Sequence, residues 1–233
     1  AVECMCRKIA TNVYVPYKNL SDGRMYLHLA SRLEQCKNYS EDFHSTGEFD
    51  ITDLTEDNYR EYFLRLEKMY PRDKRKEVVD ISGTWRLKDC VLFMTPYVGL
   101  NYSAYKYNSF AAVLHGSFHS GTACAQKGER TGKYDKFSIL YMLDKCFHSK
   151  KKIDVYFSPA ELKNGTYETV SIIGKHVVNG KRINFLNGYT YEMAYAKLVI
   201  AYSLFEKEED RLNFIYDEIN FELVNDERHI YLR

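Results

Sequence analysis

Two histidines and a cysteine lie close enough together in the sequence to hold a metal ion. His115 and His119 are four residues apart, and Cys124 follows five residues later. Side chains four residues apart on a β-strand face the same side, so both imidazoles would converge, and zinc accepts imidazole and thiolate ligands. The neighbouring sequence offers neither a fourth ligand nor a polarising carboxylate. We therefore expect no metal site here.

The same segment supplies one half of an acid–base pair. The run Leu114-His115-Gly116-Ser117-Phe118 partly resembles the histidine-x-Ser/Thr element of two-histidine phosphoesterases. That chemistry needs a second such element, which supplies the acid where the first supplies the base. No such partner element surrounds His28, His148, His176 or His229. The match is thus only half of the required pair. It leaves, as the alternative function, an intracellular phosphodiesterase- or nuclease-like enzyme that uses His115 and His119.

Three further patterns fall short of a recognisable site. The loop 128–133 has three residues between its glycines where a Walker loop has four, and Tyr134 follows its lysine where that loop has Ser or Thr. Gly83-Thr84-Trp85 is similar to the Gly-x-Trp motif of lipocalins, but a predicted helix precedes it. The run 150–152 of three lysines is typical of a solvated loop. We expect a non-enzymatic protein without a cofactor.

The elements that would position these residues are short. Alternating apolar and β-branched residues predict strands, with Pro16 placing the first at a sheet edge. Asn179-Gly180 predicts a two-residue hairpin turn. The predicted strands cover 12–17, 24–30, 78–81, 84–95, 110–120 and 153–158, and 137–143 is either a strand or a helix.

Helical spacing of apolar residues occurs twice. A middle helix is predicted around Tyr59, Phe63, Leu66 and Tyr70, with Pro71 closing it. A C-terminal block continues the pattern and is either one bent helix or two. Its stripe consists of Tyr191, Tyr195, Leu198, Tyr202, Phe205, Leu212, Ile215 and Ile219. The predicted fold class is therefore α+β, a single domain over residues 1–233 with an antiparallel β-sandwich core, a middle helix and a C-terminal helical block.

The charge balance excludes some classes of protein. The 33 basic and 32 acidic residues give a net charge of +1, which argues against a long nucleic-acid groove or a polybasic membrane anchor. No apolar run reaches the roughly 20 residues that span a bilayer. The six cysteines form no C-x-x-C pair, and we expect them to be mostly reduced and buried. Because the chain starts at Ala1, we expect an unprocessed N-terminus, with both termini ordered by contacts between copies.

Tyrosine is the unusual component. There are 21 tyrosines and 13 phenylalanines, and aromatic residues make up 15% of the chain. Tyrosine offers a large, rigid contact area with one hydroxyl. Four tyrosines lie among Asn, Ser and Lys at spacings that prevent all of them from facing inwards: Tyr97, Tyr102, Tyr105 and Tyr107. This cluster is either a tyrosine-rich connection that lies flat on the sandwich or a surface for contacts between copies, and the four residues are the candidates for such contacts.

Together these features resemble polyhedrin, the protein that forms the crystalline occlusion bodies of insect cypoviruses. The resemblance rests on size, tyrosine richness and the Ala1 start, on the aromatic strand 13–17 that leads into Ser21-Asp22-Gly23, and on 222–225 after the helical block. These patches cover about a fifth of the chain. Family members use an N-terminal helical arm as a clasp, whereas only about ten residues precede the first predicted strand here.

The resemblance implies a structural function. Polyhedrins have an antiparallel β-sandwich with flanking helices, form trimers that pack into a lattice in the host-cell cytoplasm, and embed virions. The expected partners are therefore further copies of the chain and virions but no membrane, while binding of a nucleotide or nucleic acid stays open. Neutral stability and alkaline dissolution are expected from tyrosine ionisation, with Tyr97, Tyr102, Tyr105 and Tyr107 as the switch. A β-sandwich binding module with an aromatic ligand face is a third possibility.

Overall fold

Short strands and helices alternate along the chain. The computed structural model describes residues 12–36, 39–76, 86–118, 121–126, 134–158 and 167–224. Its strands are β1 (Tyr14–Lys18), β2 (Met25–Leu29), β3 (Leu33–Glu34), β4 (His44–Ser45), β5 (Phe49–Asp50), β6 (Val91–Met94), β7 (Ala112–Gly116), β8 (Asp154–Ser158) and β9 (Asn184–Phe185). Its α-helices are α1 (Tyr59–Met69), α2 (Ile139–Phe147), α3 (Glu168–Lys175), α4 (Tyr191–Leu204) and α5 (Glu208–Tyr216). The mixed α and β composition is confirmed.

The elements divide into two compact units. The first combines Ala1–Val79 with Glu218–Arg233, and the second is Asp80–Asp217. The chain thus leaves the first unit and returns to it near its C-terminus. The organisation of residues 1–233 as a single domain stays a prediction, because a chain that re-enters its first unit is compatible with one folding domain.

The second unit is built on a parallel sheet. The strand order is β6-β7-β8-β9, and each neighbouring pair is parallel. Parallel strands need a crossover that returns the chain from one edge of the sheet to the other. Two 3₁₀ turns, Tyr102–Ala104 and Tyr107–Ser109, lie in the first crossover, α2 in the second and α3 in the third. Every residue of β7 is buried, as expected for a strand covered on both faces.

The two faces of this sheet contact different helices. Val113, Val155 and Phe157 pack in one core with residues of α2 and with Ile173 of α3. On the opposite face, Phe93 of β6 contacts the rings of Tyr191 and Tyr195 on α4. The period-2 alternation of the strands therefore separates two layers of helices.

The antiparallel β-sandwich is not confirmed. The described sheet with the most strands is parallel. The antiparallel ladders belong to two smaller sheets of the first unit, β1-β2-β5 and β3-β4. Periodicity identified the strands but not their direction, because a fully buried parallel strand and a sandwich strand have the same apolar composition. The segment 137–143 resolves in favour of a helix, since α2 begins at Ile139 with the Ser138 hydroxyl accepting from the Leu140 N–H.

The other local predictions have clear outcomes. β1 is an edge strand, as Pro16 predicted, and α1 covers the predicted middle helix. At Asn179 and Gly180, φ is 53° and 74°, which matches a type I′ turn, and Val178 bridges Lys181. The C-terminal block is two helices, separated at Phe205. The predicted strand 78–81, Gly83-Thr84-Trp85, the loop 128–133 and both termini lie outside the described residues.

The α4 stripe differs from the prediction. The side chains buried on this helix are Ala194, Lys197, Leu198 and Ala201. The Lys197 ammonium is buried because it donates to the Asp217 carbonyl at 2.6 Å and lies over the rings of Tyr189 and Phe214. A pattern of apolar residues cannot predict that a lysine is buried. Among the described residues, none of the helices combines the length and the apolar character that crossing a membrane requires.

Arg32 anchors the returning C-terminal segment in the first unit. Its side chain is fully buried, its Nε donates to the Phe221 carbonyl and its Nη2 donates to the Leu223 carbonyl at 2.7 Å. The guanidinium also lies 5.6 Å from the centre of the Tyr70 ring. One side chain therefore satisfies two carbonyls that are far from it in sequence.

Replacement of Arg32 tests this anchor. We expect Arg32→Leu to lower the free energy of unfolding by about 3 kcal/mol, because two carbonyls lose their donors. Arg32→Lys keeps the charge and one donor group and should cost less. Chemical denaturation followed by circular dichroism measures both. Equal stability of Arg32→Leu and the unsubstituted chain would contradict the anchoring role.

Candidate functional site

An apolar pocket lies at the carboxyl ends of β6 and β7. Its volume is about 220 Å³. The lining comes from the segment after β6, from Phe118 after β7 and from Phe137 just before α2, and consists of Pro96, Tyr97, Val98, Gly99, Leu100, Tyr102, Phe118, Cys124 and Phe137. The carboxyl edge is the place where ligands bind in open parallel sheets. We call this site the carboxyl-edge pocket.

A tight turn forms one wall of the carboxyl-edge pocket. The Leu100 N–H donates to the Tyr97 carbonyl at 3.1 Å, and Gly99 has φ of 86°, the values of a type II turn. A Cβ at Gly99 would meet no atom within 4 Å, so glycine is required by the backbone conformation and not by crowding. Leu100 is buried, whereas Val98 at the tip of the turn is 96% exposed. The turn therefore holds an apolar side chain out in solvent.

Hydrogen bonds fix the lining residue Tyr102 from two directions. Its N–H donates to the Lys136 carbonyl at 2.9 Å, which joins this crossover to the residues before α2. Its hydroxyl lies 2.8 Å from Nε2 of His115. Nδ1 of His115 lies 2.5 Å from the Gly116 carbonyl, which can only accept, so Nδ1 carries the proton and the Tyr102 hydroxyl donates to Nε2.

The four tyrosines of the expected switch lie in different environments. Tyr102 and Tyr107 are buried, with the Tyr107 hydroxyl donating to the Tyr102 carbonyl at 2.6 Å, and Tyr105 is half-buried. Tyr97 is 58% exposed. Burial raises the pKa of Tyr102, Tyr105 and Tyr107. Of the four, Tyr97 is the side chain most available for a contact between copies, and the buried pair belongs to the interior of the second unit.

The surroundings of His115 disfavour acid–base chemistry. His115 is fully buried, and burial lowers its pKa to about 4. Burial raises the pKa of its partner Tyr102, so proton transfer from phenol to imidazole is opposed on both sides. His119, its proposed companion in catalysis, lies outside the described residues. Within those residues, no three His, Cys, Asp or Glu side chains are grouped so as to hold a metal ion.

The pocket is suited to apolar groups. Rings and aliphatic side chains dominate the lining, and its residues with a polar side-chain group are Tyr97, Tyr102 and Cys124. The hydroxyl of Tyr102 is already bonded to His115. An apolar cavity of about 150 Å³ is sufficient for benzene. The carboxyl-edge pocket can therefore accept one aromatic ring or one branched aliphatic side chain.

The thiols and lysines singled out in the sequence are dispersed. Cys36, Cys90, Cys124 and Cys146 are free, and Cys146 is the buried member of this group. Burial raises the pKa of the Cys146 thiol to about 12, which makes it a poor nucleophile. The run 150–152 is exposed, as expected of a solvated loop.

Comparisons with known proteins identify no family for the chain. No protein-family model, no curated protein and no solved structure matches the chain.

Sequence reasoning missed the wall of the pocket. Pro96, Val98 and Gly99 lie in or beside a tyrosine-rich segment, and only its tyrosines were predicted to be functional. The available signal is Gly99, a glycine directly after an apolar residue and five residues beyond the end of the strand at Met94, because glycine at this position indicates a turn.

Tyrosine burial predicts a stability that is lost in alkali. An unfolded tyrosine ionises near pH 10, while the raised pKa of folded Tyr107 keeps it protonated. The contribution of Tyr107 to the free energy of unfolding is therefore complete below pH 10. Above pH 10 this contribution falls by about 1.4 kcal/mol per pH unit. We expect Tyr107→Phe to flatten the decline of unfolding free energy between pH 10 and 12 by about that amount. Tyr97→Phe, which removes an exposed hydroxyl, is the control, and equal slopes for both variants would contradict the mechanism.

His115 predicts a second loss of stability in acid. The unfolded imidazole binds a proton near pH 6.5, whereas the folded one binds it near pH 4. The contribution of neutral His115 to the free energy of unfolding is therefore complete above pH 6.5. It falls by up to about 3 kcal/mol as the pH falls to 4. His115→Asn should be less stable at pH 7 but less sensitive to pH over this range. Denaturation at pH 7, 5.5 and 4 measures the effect, with exposed His148→Asn as control. An unchanged pH dependence in His115→Asn would refute it.

Proposed function

We propose that the chain is a non-enzymatic structural protein whose copies associate through the carboxyl-edge pocket and its rim. The observation that carries this proposal is the exposure of apolar side chains around an apolar pocket. Val98 is 96% exposed, Tyr97 58% and Phe137 41%, and all three line the pocket. Exposed apolar side chains grouped at a pocket are typical of interaction sites.

The same surface carries both halves of a contact. The turn at Val98 presents a protruding apolar side chain, and the pocket behind it accepts a group of that size. Two copies can therefore exchange these elements across a two-fold axis, or pass them on in a chain if the rotation does not close. The occupant that we propose is accordingly the Tyr97–Val98 turn of a second copy.

The overall charge supports dense association. A net charge of +1 gives little repulsion between copies at neutral pH. Buried and half-buried tyrosines add the expected response to alkali, since desolvation is the largest cause of a raised pKa in five of them: Tyr14, Tyr102, Tyr107, Tyr156 and Tyr202. An assembly of this chain would thus come apart above pH 10 through loss of the fold itself.

The polyhedrin-like matrix is the form of assembly that the sequence suggests. In that form, trimers pack into crystalline occlusion bodies in the host-cell cytoplasm and embed virions. The β-sandwich that this resemblance implies differs from the parallel sheet of the second unit, so the proposal here rests on the surface of the carboxyl edge and not on the resemblance. Expression of the chain alone, followed by microscopy for intracellular crystals, tests the matrix form.

A binding module is the second candidate. The pocket volume of about 220 Å³ favours it, because a small aromatic molecule fits that space without any partner chain. A monomer that binds such a molecule, with chemical-shift changes at Phe118 and Phe137, would support this candidate over self-association. The enzymatic alternative gains nothing from the described residues, given the buried and hydrogen-bonded His115.

Charge placed on the rim tests self-association. We expect Val98→Asp to shift the protein to monomers and to raise the dissociation constant at least tenfold, because each contact would bury a carboxylate without a partner. Sedimentation velocity over a range of protein concentrations measures the distribution of species.

The matched control is Leu64→Asp on α1, since Leu64 is an aliphatic residue 66% exposed. That variant should associate like the unsubstituted chain. A monomeric unsubstituted chain at 100 μM (on the order of interface dissociation constants for weak contacts), or equal effects of the two variants, would contradict the proposal.

A further inference from the structure

The opposite edge of the parallel sheet carries a different surface. Loops that enter neighbouring parallel strands lie side by side at the amino edge, because those strands are about 4.8 Å apart. The segment 145–153, which begins in the last turn of α2, enters β8, and the segment 174–183, which begins at the end of α3, enters β9. These strands pair in parallel. Direct contacts extend the edge to β7, since the Ser149 hydroxyl donates to the Asn108 side chain at 2.8 Å.

These two segments are strongly basic. They contain seven Lys and Arg and no Asp or Glu, and their cations are Lys145, Lys150, Lys151, Lys152, Lys175, Lys181 and Arg182. We call this surface the amino-edge patch. All seven are exposed except Lys181, which is half-buried. The net charge of +1 therefore conceals a local excess of positive charge.

Little nearby acid neutralises the amino-edge patch. Asp144 of α2 lies 2.9 Å from Nε2 of His176, and Glu208 of α5 lies 2.6 Å from Nζ of Lys152. Asp154, which begins β8 directly after the basic segment, accepts from the Tyr202 hydroxyl at 2.5 Å, so each of these three carboxylates has one partner. Lys181 acts electrostatically on Cys146, which places this cation beside the C-terminal turn of α2. Six cations remain outside these pairs.

Aromatic rings border the same surface. Tyr141 is half-buried, with the Lys145 ammonium 5.3 Å from the centre of its ring. Tyr134 is also half-buried and meets the His176 ring edge to face at 5.1 Å. A positively charged surface with aromatic rings at its border has the two components with which proteins bind single-stranded nucleic acid, namely backbone charge contacts and base stacking.

We propose that the amino-edge patch binds single-stranded nucleic acid without sequence preference. The cations contact phosphates, and Tyr134 and Tyr141, which pack partly against the core of the second unit, offer the exposed part of their rings to bases. This function is separate from self-association, because the two sites lie at opposite edges of the sheet. A rod of duplex fits less well, since stacking needs unpaired bases.

Salt dependence of binding tests the proposal. Labelled 20-mers of thymidine and uridine are titrated with the full chain at 50–300 mM KCl, with fluorescence anisotropy as the readout. Contacts to about four phosphates predict a slope of log affinity against log salt near −3. Lys150→Gln, Lys151→Gln and Arg182→Gln combined should weaken binding at least tenfold at 100 mM KCl and reduce the slope by about 2.

The control keeps the same change of net charge. Lys18, Lys68 and Lys74 are exposed and belong to the first unit, so replacing all three by Gln should change the affinity by less than twofold. Thermal unfolding followed by circular dichroism verifies that both triple variants are folded. Equal losses in the two variants, no binding at 50 mM KCl, or binding to phosphatidylserine vesicles in place of the oligonucleotides would overturn the proposal.

Discussion

The parallel pairing of β7 on both sides is the constraint on which the second unit depends. A strand with neighbours on both sides and helices on both faces has no solvent-facing side, and Ala112, Val113 and Leu114 have no exposed surface at all. The backbone of such a strand must be fully paired, which the ladders to β6 and β8 achieve. Even its histidine is compatible with this position only because Tyr102 and Gly116 satisfy both ring nitrogens.

Parallel pairing also separates the loops that follow the strands from the loops that precede them. Each crossover must carry the chain from the carboxyl edge back to the amino edge, so the residues that directly follow the strands and those that directly precede them lie at opposite edges of the sheet. The loops after β6 and β7 supply the apolar pocket, and the loops before β8 and β9 supply the basic patch. The topology therefore places the pocket and the basic patch at opposite edges of one small sheet, and the residues of the loops give each edge its chemistry.

Local structure could be predicted where a residue type leaves few conformations. Asn179-Gly180 predicted its turn because both positions need positive φ, and Pro16 predicted an edge because it cannot donate to a ladder. Strand direction could not be predicted. It depends on which segment pairs with which, and the apolar run in β7 suits either a parallel sheet or a sandwich.

The candidate site was predictable only in part. Tyr97 is exposed whereas Tyr102 and Tyr107 are buried, which agrees with the expectation that the four tyrosines cannot all face inwards, but their spacing did not indicate which of them are buried. The Tyr102 hydroxyl donates to His115 of β7 and the Tyr107 hydroxyl donates to the Tyr102 carbonyl, and the spacing of these residues in the sequence does not reveal either contact. Basic residues in 145–153 and 174–183 were also separated in sequence, so a single run of three lysines carried too little information.

Amide hydrogen exchange as a function of protein concentration tests the central claim most directly, because it reports the surface used in association without any substitution. Exchange is measured by mass spectrometry on the full chain at low and high concentration. The account predicts that protection at the carboxyl edge, in residues 96–100 and around Phe118 and Phe137, rises with concentration while 145–153 and 174–183 stay unchanged. Protection that rises elsewhere, with 96–100 unaffected, would contradict it.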